Sequence, residues 1–306
     1  MTIITREPTT TLERHGRPRT GDTRLVAVAI GGRGAALAVN WALDEVAGAD
    51  GRLLLAHACP PGSPIAACGS TQDAGWVELL NPRLARALAV GHDRLGRDRI
   101  TLRTLSGRPE RVLAFLAAGA DLLVVGPPGL QFPGGYGSTT HHLAAHAPCP
   151  VVVVRPTAVG GTAPARGDVV VGVDGSPAGA AALEFAFGWA RTHRCGLAAV
   201  RVSRRRLDDY WLDRPALSTH ASLAPAEIDT LLREIGPWTR VYPEVPVRYA
   251  VYGGRPSAGL LRAAEGARLL VVGDRHRGPA VRAILGTATH DVLDRARGPV
   301  AVVRAT

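Results

Sequence analysis

Two distant stretches of the chain are near copies of one another. "SGRPERVLAFLAAGADLLVVG" at 106 to 126 aligns without a gap with "GGRPSAGLLRAAEGARLLVVG" at 253 to 273, and "APCPVVVVRP" at 147 to 156 answers "ARGPVAVVRA" at 296 to 305. The spacing between copies is the length of a domain, so the repeat specifies tandem domains and not a solenoid of short units. A chain of 306 residues gives each copy enough length to bury a core of its own. Composition then marks the boundaries. Residues 1–23 are polar and rich in Thr and Arg and read as a disordered tail; 24–156 form the first domain; 157–168, with its Gly, Ala and Pro, forms a linker; 169–306 form the second domain.

Within the second copy, apolar β-branched runs alternate with helical patterns. "DVVVGVD" (168 to 174) reads as a strand ending at Asp174, and Ser176-Pro177 supplies an N-cap and a first-turn proline for the Ala-rich helix that follows. "GLAAVRVS" is a second strand, a helix lies near "APAEIDTLLREI", and "VPVRYAVYG" is a third strand. A helix from Pro256, the strand "RLLVVG", a helix from Thr287 and the strand "PVAVVR" complete the unit. Strands of this type alternating with helices predict a doubly wound α/β domain, a parallel five-stranded Rossmann-like sheet covered on both faces, built twice.

Several function classes are excluded by what the chain lacks. Its formal charge of +10 comes entirely from arginine; there is no lysine, so a Walker-type phosphate loop and Schiff-base chemistry are ruled out. The arginines are spread out and lack aromatic interleaving, which argues against a dedicated nucleic-acid surface. The four cysteines (Cys59, Cys68, Cys149, Cys195) form no Cys-x-x-Cys pair and suggest a reduced, cytoplasmic setting. No apolar run reaches the roughly 18 residues needed to cross a bilayer, and the N-terminus lacks the apolar core of a secretory signal. No Gly-x-Ser-x-Gly elbow occurs.

Three features carry a resemblance: the first-strand ending "VGVDGSPAGAAALEFA", the strand exit "VVGDRHRGPAVRAILGTATHDVL", and the closing "GPVAVVR". With them the chain resembles the universal stress protein family, as two tandem family domains from about residue 24 to 304. Its nucleotide-binding members carry Gly, two residues, Gly, nine residues, then Gly-Ser or Gly-Thr. Here Gly273, His276 and Gly286-Thr287 keep that spacing, with histidine in place of the second glycine. The resemblance implies ATP as ligand, with Mg as its companion cation. It places Asp174, with Gly175, by the adenine and ribose, Gly273 by the ribose and phosphates, and Gly286 and Thr287 on the phosphates, with Val202 offering backbone contact to the base. Arg275 or Arg277 would stand in for the missing lysine. Physics supports the placement, because an open α/β sheet binds ligands beyond the carboxyl ends of its strands and a helix N-terminus there presents free N–H groups.

The first copy is poorer. Gly31 or Gly32 stands where the second has Asp174, and Gly126 and Gly129 are followed by only seven residues before Gly137-Ser138. Pro127 and Pro128 remove two amide donors. A degenerate site is expected there. His142 and His146 are an i, i+4 pair beside His141, with no carboxylate nearby in sequence, so no metal is expected; His290 and Asp291 point to different sides of a helix. Asp208-Asp209 reads as local ion pairing, and "DDYWLDRP" as a lid or a partner surface. The valine runs 151–155 and 300–304 read as edge strands that seek partners; the resemblance implies that such strands pair domains two by two, so that the copies form an internal pseudo-dimer and whole chains can dimerise further. The resulting expectation is a regulator in stress or dormancy that binds ATP in its second domain and at most hydrolyses it slowly. The alternatives are a nucleotide-free scaffold and a nucleotidyl transferase, the latter disfavoured by the absent lysine.

Overall fold

A computed structural model describes residues 23–31, 34–48, 50–127, 139–156, 163–204, 209–212, 225–274 and 285–305. Residues 1–22 of the expected disordered tail, the first half of the linker (157–162), and Gly32, Pro128, Gly129, Gly137, Ser138, Asp208, Arg275, His276 and Arg277 lie outside the described residues. The first half contains β1 (Leu25–Ala29), α1 (Ala35–Ala47), β2 (Arg52–Cys59), β3 (Ser70–Thr71), α2 (Ala74–Leu80), α3 (Pro82–Leu95), β4 (Ile100–Ser106), α4 (Pro109–Leu116), β5 (Leu122–Val125), α5 (Thr139–His146) and β6 (Val151–Val153). The second contains β7 (Val169–Gly172), α6 (Pro177–His193), β8 (Leu197–Ser203), β9 (Tyr210–Leu212), α7 (Pro225–Val241), β10 (Val247–Gly253), α8 (Pro256–Ala263), β11 (Leu269–Asp274), α9 (Thr287–Arg295) and β12 (Val300–Arg304).

All strands join one sheet in the order β3-β4-β2-β1-β5-β6-β12-β11-β7-β8-β10-β9. Each half has the expected five parallel strands and adds one short antiparallel strand, β3 on β4 and β9 on β10, at the outer edge. These additions are two and three residues long, too short to leave a period-2 signature, and they cover edges that would otherwise offer unpaired backbone. β9 also falls in the segment read as a lid, and Asp209 beside it pairs at 3.0 Å with Arg262 of α8, 53 residues away, and not with an arginine of its own loop as expected.

The alternation of side chains along each strand splits the core into two layers. Val26, Val28, Val169 and Val171 face α1, α3, α6 and α7, while Ala27, Leu123, Val170 and Leu270 face α4, α5, α8 and α9. Phe187 and Leu43 are wholly buried, and such a side chain contributes about 1.5–3 kcal/mol on leaving water.

The halves meet where β6 pairs antiparallel with β12, Val153 opposite Val300 and Val151 opposite Val302. Arg304, at the end of β12, donates to the Ala147 carbonyl at 3.0 Å, and Arg155, just after β6, donates to that of Leu293. On the other layer Glu45 of α1 accepts from Trp189 Nε1 of α6 at 3.0 Å, lies 3.0 Å from His193 Nε2, and pairs with Arg24 at 2.7 Å.

Candidate functional site

In the second half β7 is the point where the sheet's winding reverses, with β8 on one side and β11 on the other, and a crevice beyond the carboxyl ends follows from that topology. The corner from β7 into α6 is built by Asp174-Gly175-Ser176-Pro177. Asp174 Oδ1 accepts from the Ser176 amide at 2.9 Å and from its hydroxyl at 2.6 Å, and Ser176 Oγ in turn accepts from Gly179 N at 3.0 Å. Gly175 has φ +74°, a left-handed conformation that a side chain would strain. The corner thus satisfies an orphan amide of α6 and fixes the Asp174 carboxylate at the crevice.

That crevice has a volume of about 480 Å³ and is lined by Asp174, Gly175, Ser176, Pro177, Asp274 and Ala305, among others. The size lies within the range of small-molecule sites. Val173 N donates to Val200 O at 2.8 Å. Parallel strands turn alternate residues to the same neighbour, so the backbone of Val202 on β8 faces the end of β7, but Val202 is not among the residues that line the crevice.

The glycines behave differently from one another. A Cβ on Gly273 would stand 2.4 Å from Ala178 O and 2.8 Å from Gly179 N, so this glycine admits the first turn of α6 onto the sheet. Gly286 begins α9, but its amide already donates to Asp274 Oδ1 at 3.0 Å, and the Asp274 side chain is buried, 2% exposed. Thr287 is exposed on the first turn of α9. Asp174 and Gly175 therefore line the crevice, Gly273 supports it from beneath, and Gly286 is engaged by a carboxylate that sequence reasoning passed over. Only the residue's position directly after Gly273 hinted at its importance. Among the described lining residues there is no His or Cys to serve as base or nucleophile.

The first half places Gly31 in the position of Asp174, since Ile30 N donates to Ala56 O at 2.8 Å as Val173 does to Val200. His57 Nδ1 lies 2.6 Å from the Ile30 carbonyl. The ring of Pro127 approaches α1 so closely that its Cδ is 2.6 Å from where a Cβ on Gly34 would sit, and Gly126 O accepts from Thr140 at 3.2 Å. Proline there brings an apolar ring and no amide donor to the helix N-terminus. A further cavity of about 350 Å³ lies at the amino ends of β11 and β12, lined in part by Leu261, Arg262, Arg295 and Pro299, and shares no lining residue with the crevice at Asp174.

Comparison with known proteins agrees with this architecture. The model of the universal stress protein family matches residues 23–155 and again 166–304. Universal stress protein Rv2005c of Mycobacterium tuberculosis is 30% identical over 226 residues, covering 72% of this chain and 75% of that one. Universal stress protein Rv2623 of the same organism is 32% identical over 194 residues, covering 63% and 64%. Among solved structures, a universal stress protein from Archaeoglobus fulgidus shares the fold, with TM-score 0.62 at 15% identity over 92% of this chain and 96% of that one. Two matches of one family model, end to end along a single continuous sheet, show that the chain belongs to the universal stress protein family, with two family domains in tandem.

Proposed function

We propose that the chain is a cytoplasmic stress or dormancy regulator that binds ATP, with Mg as companion cation, in the crevice of its second half. The observation that supports this reading is the open cavity of about 480 Å³ bounded by Asp174 and the α6 corner. In this reading Asp174 and Gly175 hold the sugar end, Val202 meets the base, and Thr287 with the α9 N-terminus meets the phosphates, joined by Arg275 and His276. A helix end alone contributes about 0.3–1 kcal/mol, while micromolar binding requires roughly 8 kcal/mol, so the base and ribose contacts carry much of the affinity. The first half binds nucleotide weakly or not at all, because Pro127 lies against α1. The domains run 24–156 and 169–306, and the β6–β12 pairing makes them an internal pseudo-dimer. Among the described residues no helix is long and apolar enough to cross a membrane.

One observation favours a nucleotide-free scaffold instead: the Gly286 amide is already taken by Asp274. Extraction of the purified protein for bound nucleotide, followed by calorimetric titration with Mg-ATP, separates the two. We expect bound nucleotide, slow or no turnover, and a weakening of about tenfold in Asp174→Asn, corresponding to the roughly 1.4 kcal/mol of a charge-assisted contact. Asparagine retains the oxygen that caps the corner, so a loss of affinity reports on the ligand and not on folding. Absence of both nucleotide and heat would leave the scaffold.

A further inference from the structure

We propose that His141, His290 and Asp294 form a site for a divalent transition-metal ion such as Zn²⁺, which staples the two halves of the chain together. His141 is on α5 of the first half, and His290 and Asp294 are on α9 of the second. The duplication places the histidines at equivalent positions, each four residues after the glycine of the Gly-Ser or Gly-Thr in its copy. The β6–β12 pairing brings the two closing helices together, so the rings stack face to face with centroids 4.4 Å apart and planes 19° from parallel. Asp294 has no counterpart in the first copy, where Ala145 stands; it supplies the carboxylate that the local sequence around His141 lacks.

The donor atoms converge. His141 Nε2 is 2.9 Å from Asp294 Oδ1, His290 Nδ1 is 3.2 Å from Asp294 Oδ2, and all three ligand atoms lie within 4.8 Å of one another. A tetrahedral ion bound at about 2.0–2.1 Å holds its donors roughly 3.3 Å apart, so the stacked rings tilt toward each other to admit one. His290 and Asp294, at i and i+4 on α9, form a chelating pair on one helix face. The His141 side chain is 13% exposed, and those of His290 and Asp294 are 47% and 41% exposed. The pocket is thus walled on the α5 side and open on the other, leaving room for entry and a coordinated water. The charge of Arg155 acts on both His141 and Asp294 and offsets the carboxylate. Attraction therefore rests on the nitrogen donors, which selects Zn²⁺ or Co²⁺ over the oxygen-seeking Mg²⁺.

The neighbouring pair His142 and His146 is the internal control. Its rings also stack, at 4.2 Å, but no carboxylate joins them among the described clusters. The test uses the full chain, titrated with Zn²⁺ against a chelating indicator and with Co²⁺ followed by its visible d–d absorption, with thermal melts at each metal concentration. We expect one equivalent bound, a rise in Tm with Zn²⁺ and none with equimolar Mg²⁺. Both His290→Ala and the isosteric Asp294→Asn should weaken binding by at least the roughly 10–100-fold typical of a lost outer-shell partner, while His146→Ala leaves it unchanged. Metal-free melts and circular dichroism verify that the variants fold. The proposal is overturned if the wild type binds no Zn²⁺, if binding survives both α9 substitutions, or if it disappears with His146→Ala.

Discussion

A buried carboxylate accepts the amide of Gly286, the N-cap of α9, where the ATP reading proposed above puts a phosphate oxygen. Asp274 Oδ1 lies 3.0 Å from Gly286 N, so a phosphate entering there meets a like charge, and at an effective dielectric of 20 two unit charges 4 Å apart repel by about 4 kcal/mol. Asp274→Asn keeps an acceptor for the amide and removes the charge. We expect its ATP affinity to rise by roughly tenfold, or about 1.4 kcal/mol, with the melting temperature nearly unchanged. A weaker titration would mean that the carboxylate aids binding, for example by meeting the companion cation. At this scale the sequence was legible where chemistry is local. The Asp174-Gly175-Ser176-Pro177 corner needs only its own four residues to close, whereas the engagement of Asp274 depends on Gly286, twelve residues on, being folded back beside it.

The first turn of α6 packs directly on β11 because Gly273 has no side chain to separate them. A Cβ there meets backbone at 2.4 Å, and backbone cannot rotate away as a side chain can. Gly273→Ala should therefore cost about 2–3 kcal/mol, at the upper end of overpacking penalties, read as a lowered urea midpoint with an unchanged m-value. Gly188, in the same helix α6, has nothing within 4 Å of its Cβ position, so Gly188→Ala should stabilise by about 0.5–1 kcal/mol through helix propensity. Two glycine-to-alanine changes of opposite sign separate packing from propensity; equal effects would defeat this account. The long elements were legible because a strand such as β8 and a helix such as α6 repeat their pattern over several residues. β3 and β9 were not, since strands of two and three residues exist only because a neighbouring edge pairs with them.

The joint between the halves was half legible. Two valine runs left at sheet edges foretell a pairing, and β6 and β12 make it. Nothing in the sequence foretells that Glu45 meets Trp189 and His193, 144 and 148 residues away. Burial alone would raise the Glu45 carboxyl, but the His193 hydrogen bond, the charges of Arg24 and His193, and the Trp189 N–H together hold it below its ordinary value of 4.5. A carboxyl depressed in the folded state contributes stability that is fully present above its unfolded pKa and is lost as pH falls through the folded one. The interface should therefore weaken in acid below about pH 4.5, the reference carboxyl value. Glu45→Gln removes the charge but keeps a similar shape, leaving Arg24 facing an amide. Breaking a buried pair on one side costs 3–5 kcal/mol; because Arg24 is 29% exposed and water takes up part of the loss, about 3 kcal/mol is expected at pH 7. Urea midpoints measured from pH 3 to 7 should fall in wild type through the acid range, while the difference between wild type and variant shrinks toward zero. Since the other carboxyls are common to both proteins, that difference isolates Glu45, and a constant gap across the range would show that its charge does not hold the halves together.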